Sequence, residues 1–220
     1  MKCLYPIASN DVYVFSMKPI DSRMYCIVRN NRALIIDAVI SDDAISFLKA
    51  KGLKDITIIL THEHIDHICG VNELRQIADC KVICSTKCAE AICDCRKNGA
   101  VYFEGMYALR DTNELAQIKK LKLSDYVCFA DETFVSETTF IWEEFIVKCI
   151  ELPGHSIGGI GIIINDKYIF SGDNMIPNIP TVTRLPGGSK RDYEMITKVF
   201  YENLPYGSVI YPGHGEVCLI

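Results

Sequence analysis

The heptapeptide Thr61-His62-Glu63-His64-Ile65-Asp66-His67 constrains this chain more than any other stretch, because it sets three imidazoles and the carboxylate of Asp66 at ligand spacing. Residues 55–60 (Asp-Ile-Thr-Ile-Ile-Leu) are β-branched and apolar and read as a buried strand, and residues 71–78 read as a helix. The cluster therefore lies on a strand-to-helix loop. His62 and His64, two apart on extended backbone, project the same way, while Asp66 and His67 follow after the chain has begun to turn. One loop can thus serve two neighbouring points. The chain has five histidines, and the other two, His155 and His214, stand in Leu-Pro-Gly-His-Ser and Tyr-Pro-Gly-His-Gly. No histidine is left for an ordinary surface or core role, and neutral imidazole is the commonest metal ligand.

The rest of the chain reads as strands and helices that return to this loop. Alternating or clustered β-formers at 11–15, 24–29 and 33–36, with Asn30-Asn31 as the turn, predict strands and a hairpin closing on Asp37. Residues 44–51 have helical spacing up to Gly52, residues 81–84 form a short strand, and 87–96 read as a helix. Strands are expected at 138–142, 145–152, 161–164, 168–170 and 208–211, and an amphipathic helix at 192–203. The second hairpin closes on Asp173 as the first closes on Asp37, a weak internal repeat that suggests two facing sheets. Gly154, Gly172 and Gly213 each end a strand and precede His155, Asp173 and His214. A glycine at such a point tolerates close backbone approach, so each strand can stop abruptly and aim a ligand at one place.

The candidate ligands are then His62, His64, Asp66, His67, His155, Asp173 and His214, too many for one tetrahedral ion. Two ions, each with three ligands of its own and Asp173 shared, use all seven. An all-nitrogen and oxygen set suits two divalent ions such as zinc, iron or manganese.

Composition narrows the setting. A chain of 220 residues, 49% hydrophobic and 23% charged, fits one larger α/β domain spanning 1–220. No apolar run reaches the ~18 residues of a membrane helix, and the start lacks the pattern of a signal peptide, so a cytoplasmic protein is expected. A net charge of −5 without a dense basic block argues against nucleic acid as a partner. The eleven cysteines are odd in number and imply a reducing compartment, with small buried side chains as their main role. The segment 100–125 has the weakest pattern, with a helix expected only at 112–121. Tyr102, Phe103, Tyr107 and Arg110 within it are the candidate substrate-binding residues of a lid.

The His-x-His-x-Asp-His pattern at 62–67, followed in order by His155, Asp173 and His214, resembles the signature of the metallo-β-lactamase superfamily. The resemblance spans nearly the whole chain and implies a four-layer αββα sandwich of two mixed sheets. It is strongest toward the glyoxalase II group and its short single-domain relatives, which Leu185-Pro186-Gly187-Gly188-Ser189 also resembles. It implies hydrolysis of a small thioester or ester by hydroxide held between two metal ions, zinc first among them, with Asp66 orienting the water as well as binding. His64 stands where flavodiiron proteins have glutamate, and Asp173 where the best-known β-lactamases have cysteine, which argues against a penicillin-type substrate. The extra C-terminal helical domain of glyoxalase II enzymes is not expected here, since the sequence ends six residues after His214. The rival within the same resemblance is a persulfide dioxygenase-like oxidoreductase using one iron.

Overall fold

Apolar runs that continue through successive positions of a strand need a core on each side, and the strands of this chain have one. The computed structural model describes residues 6–7, 12–108 and 112–220. Its first sheet has the order β1 (Val12–Met17), β2 (Ser22–Arg29), β3 (Arg32–Ile36), β4 (Asp55–Ile59), β5 (Asp79–Ser85) and β6 (Glu132–Phe134). β1 to β3 pair antiparallel and β3 to β6 parallel. The second sheet has the order β12 (Cys218–Leu219), β11 (Val209–Pro212), β10 (Tyr168–Gly172), β9 (Ile160–Ile164), β8 (Phe145–Glu151) and β7 (Glu137–Trp142). It is antiparallel except where β10 and β11 run parallel. Both sheets are mixed, as expected.

The two-residue period divides each strand between cores. In β3, Leu34 and Ile36 enter the layer between the sheets, whereas Ala33 and Ile35 turn toward the helices. In the second sheet Ile162, Phe170 and Tyr211 point inward, and Ile163, Ile169 and Ile210 outward. Helices α1 (Asp42–Ala50), α3 (Val71–Ile77), α4 (Thr86–Ile92), α5 (Ala100–Met106) and α6 (Thr112–Leu121) cover the first sheet through residues such as Leu48, Leu74, Ile92, Phe103 and Ile118. Tyr201 lies over the outer face of the second sheet. It belongs to α8 (Lys198–Glu202), which continues α7 (Lys190–Asp192) through a π turn at Tyr193–Thr197. The order of layers is helix, sheet, sheet, helix.

Several departures from the sequence reading have local causes. The segment 100–108, expected to be irregular, contains α5. Its start is set by Gly99 in the left-handed region (φ 85°), and Asn98 Oδ1 accepts from the Ala100 amide. The strands β6 and β12 are only three and two residues long, too short for a periodic signal, and exist because β5 and β11 offer open edges to them. The helix expected at 192–203 contains the π turn where Tyr193 meets Gly154 and where the Thr197 hydroxyl donates to the Pro153 carbonyl. A four-residue helix, α2 (Ile65–Ile68), lies inside the histidine loop itself.

The sheets are joined at one end by main-chain bonds between them. Arg23 N donates to Gly213 O at 2.8 Å and Ile160 N to Thr61 O at 2.8 Å, while the Tyr25 hydroxyl donates to Pro212 O at 2.7 Å. Phe145 lies at the start of β8, away from that end, and is fully buried between the sheets. Phe145→Ala should therefore cost about 3–5 kcal/mol of unfolding free energy. Denaturant titration checks this, and metal binding of the folded fraction should be unchanged.

Candidate metal centre

The strand ends β4, β8, β10 and β11 bring His62, His155, Asp173 and His214 to the joined end of the sandwich. His64 caps α2 at its N-terminus, and Asp66 and His67 lie in its single turn. This turn places Asp66 and His67 with His214 in a second group of candidate ligands. Two glycines make the convergence sterically feasible. A Cβ on Gly213 would stand 2.3 Å from Asp173 Oδ1 and 2.8 Å from His67 Cε1, and one on Gly172 (φ 51°) 2.4 Å from Thr61 Oγ1. Only glycine lets the backbone pass this close.

All seven predicted ligands come together. Ligand atoms of His62, His64 and His155, and those of Asp66, His67 and His214, lie within 4.8 Å of one another in two groups. Asp173 stands between the groups. Its Oδ1 is 3.4 Å from His67 Nε2, and its Oδ2 is 3.5 Å from His214 Nε2 and 3.7 Å from His155 Nε2. Asp66 Oδ2 is 3.5 Å from His67 Nε2 and 3.4 Å from His214 Nε2. These separations are long for hydrogen bonds between charged groups. They suit donors that share an ion, since ligands about 2.0–2.2 Å from a tetrahedral centre stand roughly 3.4 Å apart. His62 Nε2, His67 Nε2 and Asp173 Oδ1 are buried without a hydrogen-bond partner, a costly arrangement that a cation relieves. The donor set fits a divalent metal.

Buried partners orient the rings. Asp37 accepts from Thr61 N (2.7 Å), Thr61 Oγ1 (2.8 Å) and His67 Nδ1 (2.9 Å). With its proton committed to Asp37, Thr61 Oγ1 accepts from His62 Nδ1 at 3.0 Å. His155 Nδ1 donates to Val182 O at 2.7 Å. In all three rings Nδ1 carries the hydrogen, which leaves the Nε2 lone pair for the centre. His64 is turned the other way, its Nδ1 2.9 Å from His155 Nε2. Asp66 is steadied by the Ser22 hydroxyl at 2.6 Å.

Electrostatics divide the imidazoles. Burial, reinforced by neighbouring rings, holds His62 well below the usual imidazole range, and burial also lowers His64 and pushes His155 down to about 4. Burial opposes charge on His67 and His214 too, but Asp66 and Asp173 outweigh it and raise both. The reciprocal attraction keeps Asp66 and Asp173 far below the carboxylate range despite their burial. The site is thus arranged around positive charge.

Three supporting residues escaped sequence reading as site residues: Asp37, Ser22 and Glu63. Asp37 left a trace as the repeat partner of Asp173. Glu63, only 1% exposed, lies between two ligands and accepts from Ser156 Oγ (3.0 Å), Ile157 N (3.2 Å) and Gly158 N (3.1 Å). It clamps the loop that carries His155. Nothing local distinguishes this glutamate from a solvated one.

A cavity of about 150 Å³ opens on the centre, lined by His64, Asp66, Asp173 and His214 on one side and by Tyr102, Met106, Tyr107 and Leu185 on the other. Tyr102 and Tyr107 therefore stand where the sequence placed pocket residues. Phe103 does not: it is 1% exposed and packs in the helix-side core, with Tyr107 edge-on to it at 5.4 Å. Arg110 lies outside the described residues. Among the described residues no cysteine joins a metal-capable group, and the ten described cysteines are free thiols. Burial raises several, Cys26 and Cys149 to about 12, so they are inert as nucleophiles.

Residues 18–214 match the metallo-beta-lactamase superfamily, and the chain belongs to it. It is 24% identical over 201 residues to a probable metallo-hydrolase, YqgX, of Bacillus subtilis (strain 168), covering 90% of this chain and 86% of that protein. It is 26% identical over 186 residues to a hydroxyacylglutathione hydrolase of Hamiltonella defensa subsp. Acyrthosiphon pisum (strain 5AT), covering 84% of this chain but 58% of that relative. The chain thus spans under two thirds of the second protein. Among solved structures, that of the BLEG-1 B3 metallo-beta-lactamase superposes with a TM-score of 0.77 at 24% identity, over 94% of this chain and 93% of that one. No helix among the described residues is long and apolar enough to cross a membrane.

The supporting shell makes a quantitative prediction. Asp37→Asn keeps the size of the side chain but loses the charge that fixes His67 and Thr61, so metal affinity should fall roughly 10- to 100-fold. Glu63→Gln presents a donor to at least one of the donors it now accepts from, and should weaken metal retention in the same direction through His155. Competition with a chromogenic chelator measures both, with melting temperature recorded alongside.

Proposed function

We propose that the chain is a hydrolase of small thioesters or esters that works with two divalent ions, zinc in the first place. The observation that carries this reading is the position of Asp173, whose two oxygens lie within 3.4–3.7 Å of imidazole nitrogens from both ligand groups. His62, His64 and His155 would hold one ion, Asp66, His67 and His214 the other, and Asp173 both. When bound, such ions supply hydroxide at neutral pH and Lewis acidity toward a carbonyl oxygen.

The protein's own contribution is orientation and exclusion. Asp66, anchored by Ser22, keeps one carboxylate edge toward the cavity and orients the attacking water. The Asp37–His67 and Asp37–Thr61–His62 links hold Nδ1 of each ring and fix its direction, so that Nε2 faces the centre. Tyr102, Met106 and Tyr107 bound the cavity with apolar surface and shed water from a bound acyl group. Addition of water breaks the C–S or C–O bond and yields a carboxylic acid and a thiol or alcohol, so no protein nucleophile is consumed. A cytoplasmic setting fits the ten free thiols, and the partner is a small molecule.

Elemental analysis after zinc reconstitution should give two ions per chain. A stoichiometry fixed at one, iron retained in preference to zinc, and oxygen uptake with a persulfide would overturn the hydrolase reading in favour of an oxidoreductase. Asp173→Asn should keep the fold while lowering kcat by at least two orders of magnitude, since a neutral amide bridges two cations poorly. Steady-state kinetics against a thioester panel, with circular dichroism of the variant, checks it.

A further inference from the structure

A second cavity, of about 340 Å³, lies beside the metal-side one, and the two share Pro186 in their walls. Its apolar sides come from Ala91, Ile157 and Pro186, and three cations line it: Lys87, Arg96 and Lys97. We propose that this cavity is a subsite for an anionic group, carboxylate or phosphate, on the part of the substrate remote from the scissile carbonyl. The inference rests on the hydrolase reading and adds to it the charge of the substrate.

The turn that carries two of these cations is held rigid and tied to the metal loop. Asn98 N donates to Asp94 O, Asn98 Nδ2 donates to Ile92 O and Tyr126 O, and Asn98 O accepts from Ile65 N at 2.9 Å. Ile65 follows the ligand His64, and Asn98 and Gly99 line the metal-side cavity. Arg96 and Lys97 are therefore set at a fixed offset from the centre, so a substrate gripped by them presents its other end to the metals in one register. Such preorganisation reduces the ordering cost of binding.

The neighbouring acids offset this positive charge in part, and none of them pairs with the side chain of Arg96 or Lys97. Lys87 Nζ is 3.3 Å from Glu151 and is partly neutralised by it. Glu63 lines the cavity, but its carboxylate is committed to the three donors at 156–158. Asp94 accepts from Arg96 N at 2.9 Å, and this bond, with the attraction of the Lys97 and Arg96 charges, holds its carboxyl below the usual range, so Asp94 offsets part of their charge. Glu90 is the one lining carboxylate exposed to solvent. Among the described residues neither Arg96 nor Lys97 forms a side-chain ion pair, and both are exposed. An apolar wall with cations at its margin suits a carbon chain that ends in an anion, whereas a neutral ligand gains nothing from Arg96 and Lys97.

The test is the double charge reversal Arg96→Glu/Lys97→Glu in the zinc-loaded protein. Both residues are exposed and neither touches a ligand, so melting temperature and the rate on a neutral probe, the acetyl thioester of N-acetylcysteamine, should stay unchanged. Acetyl-coenzyme A and S-acetylglutathione place phosphate or carboxylate on the thiol side, and the succinyl thioester of N-acetylcysteamine places carboxylate on the acyl side. For at least one of these KM should rise roughly tenfold or more, with kcat nearly kept, and wild-type KM should rise with salt while the variant's does not. The arm affected identifies the side that bears the charge. Equal effects on neutral and anionic probes, or none on any, would remove the subsite while leaving the hydrolase reading intact. Calorimetry with coenzyme A and glutathione separates the two ideas. Charge-sensitive binding without hydrolysis of any thioester would keep the subsite and remove the hydrolase reading.

Discussion

The buried carboxylate of Asp37 is the constraint on which the rest of the site depends. It occupies the left-handed region (φ 57°) at the end of β3 and satisfies an amide, a hydroxyl and an imidazole at once. Because β3 and β4 run parallel in register, with Ile36 beside Ile59, the residue after β3 meets the loop after β4. Hydrogen bonds to an ionised acceptor contribute more than neutral ones, and a carboxylate buried without them would be expensive. The loop therefore has one favourable conformation, the one that sends His62 and His67 toward the centre.

The second sheet completes what the first begins. Its candidate ligands arrive from three strand ends, β10 and β11 side by side and β8 beyond β9, and two glycines remove side chains that would obstruct their approach. The site consequently depends on how the sheets face each other, through the Leu34, Phe170 and Tyr211 layer and the Arg23–Gly213 and Ile160–Thr61 bonds. Glu63 adds a clamp from the metal loop to the loop after His155. A shift of one sheet against the other at the joined end would move His155, Asp173 and His214 together away from the loop residues, so metal retention depends on the sheet alignment there.

The electrostatic pattern follows from that geometry. Two carboxylates brought among five imidazoles in a water-poor space hold their own charge and draw positive charge to His67 and His214, while burial lowers His62, His64 and His155. The same low polarity that makes unpartnered nitrogens costly makes a bound cation effective, since its field is not screened.

The seven candidate residues that converge, the buried strands and the glycines before Asp173 and His214 were legible in the linear sequence, because each is a local pattern. Residue type and spacing identify His62 to His67, and period-two apolar runs identify strands whatever their neighbours. The supporting residues were not legible, because Asp37 meets His67 across 30 positions and Ser22 meets Asp66 across 44, distances set only by sheet order. Tyr102 and Phe103 show the same division within one turn. Adjacent helical residues point about 100° apart, so when α5 docks on the first sheet Tyr102 is left half exposed beside the cavity and Phe103 enters the core. Composition offered both as pocket residues, and the docking of one helix decided between them.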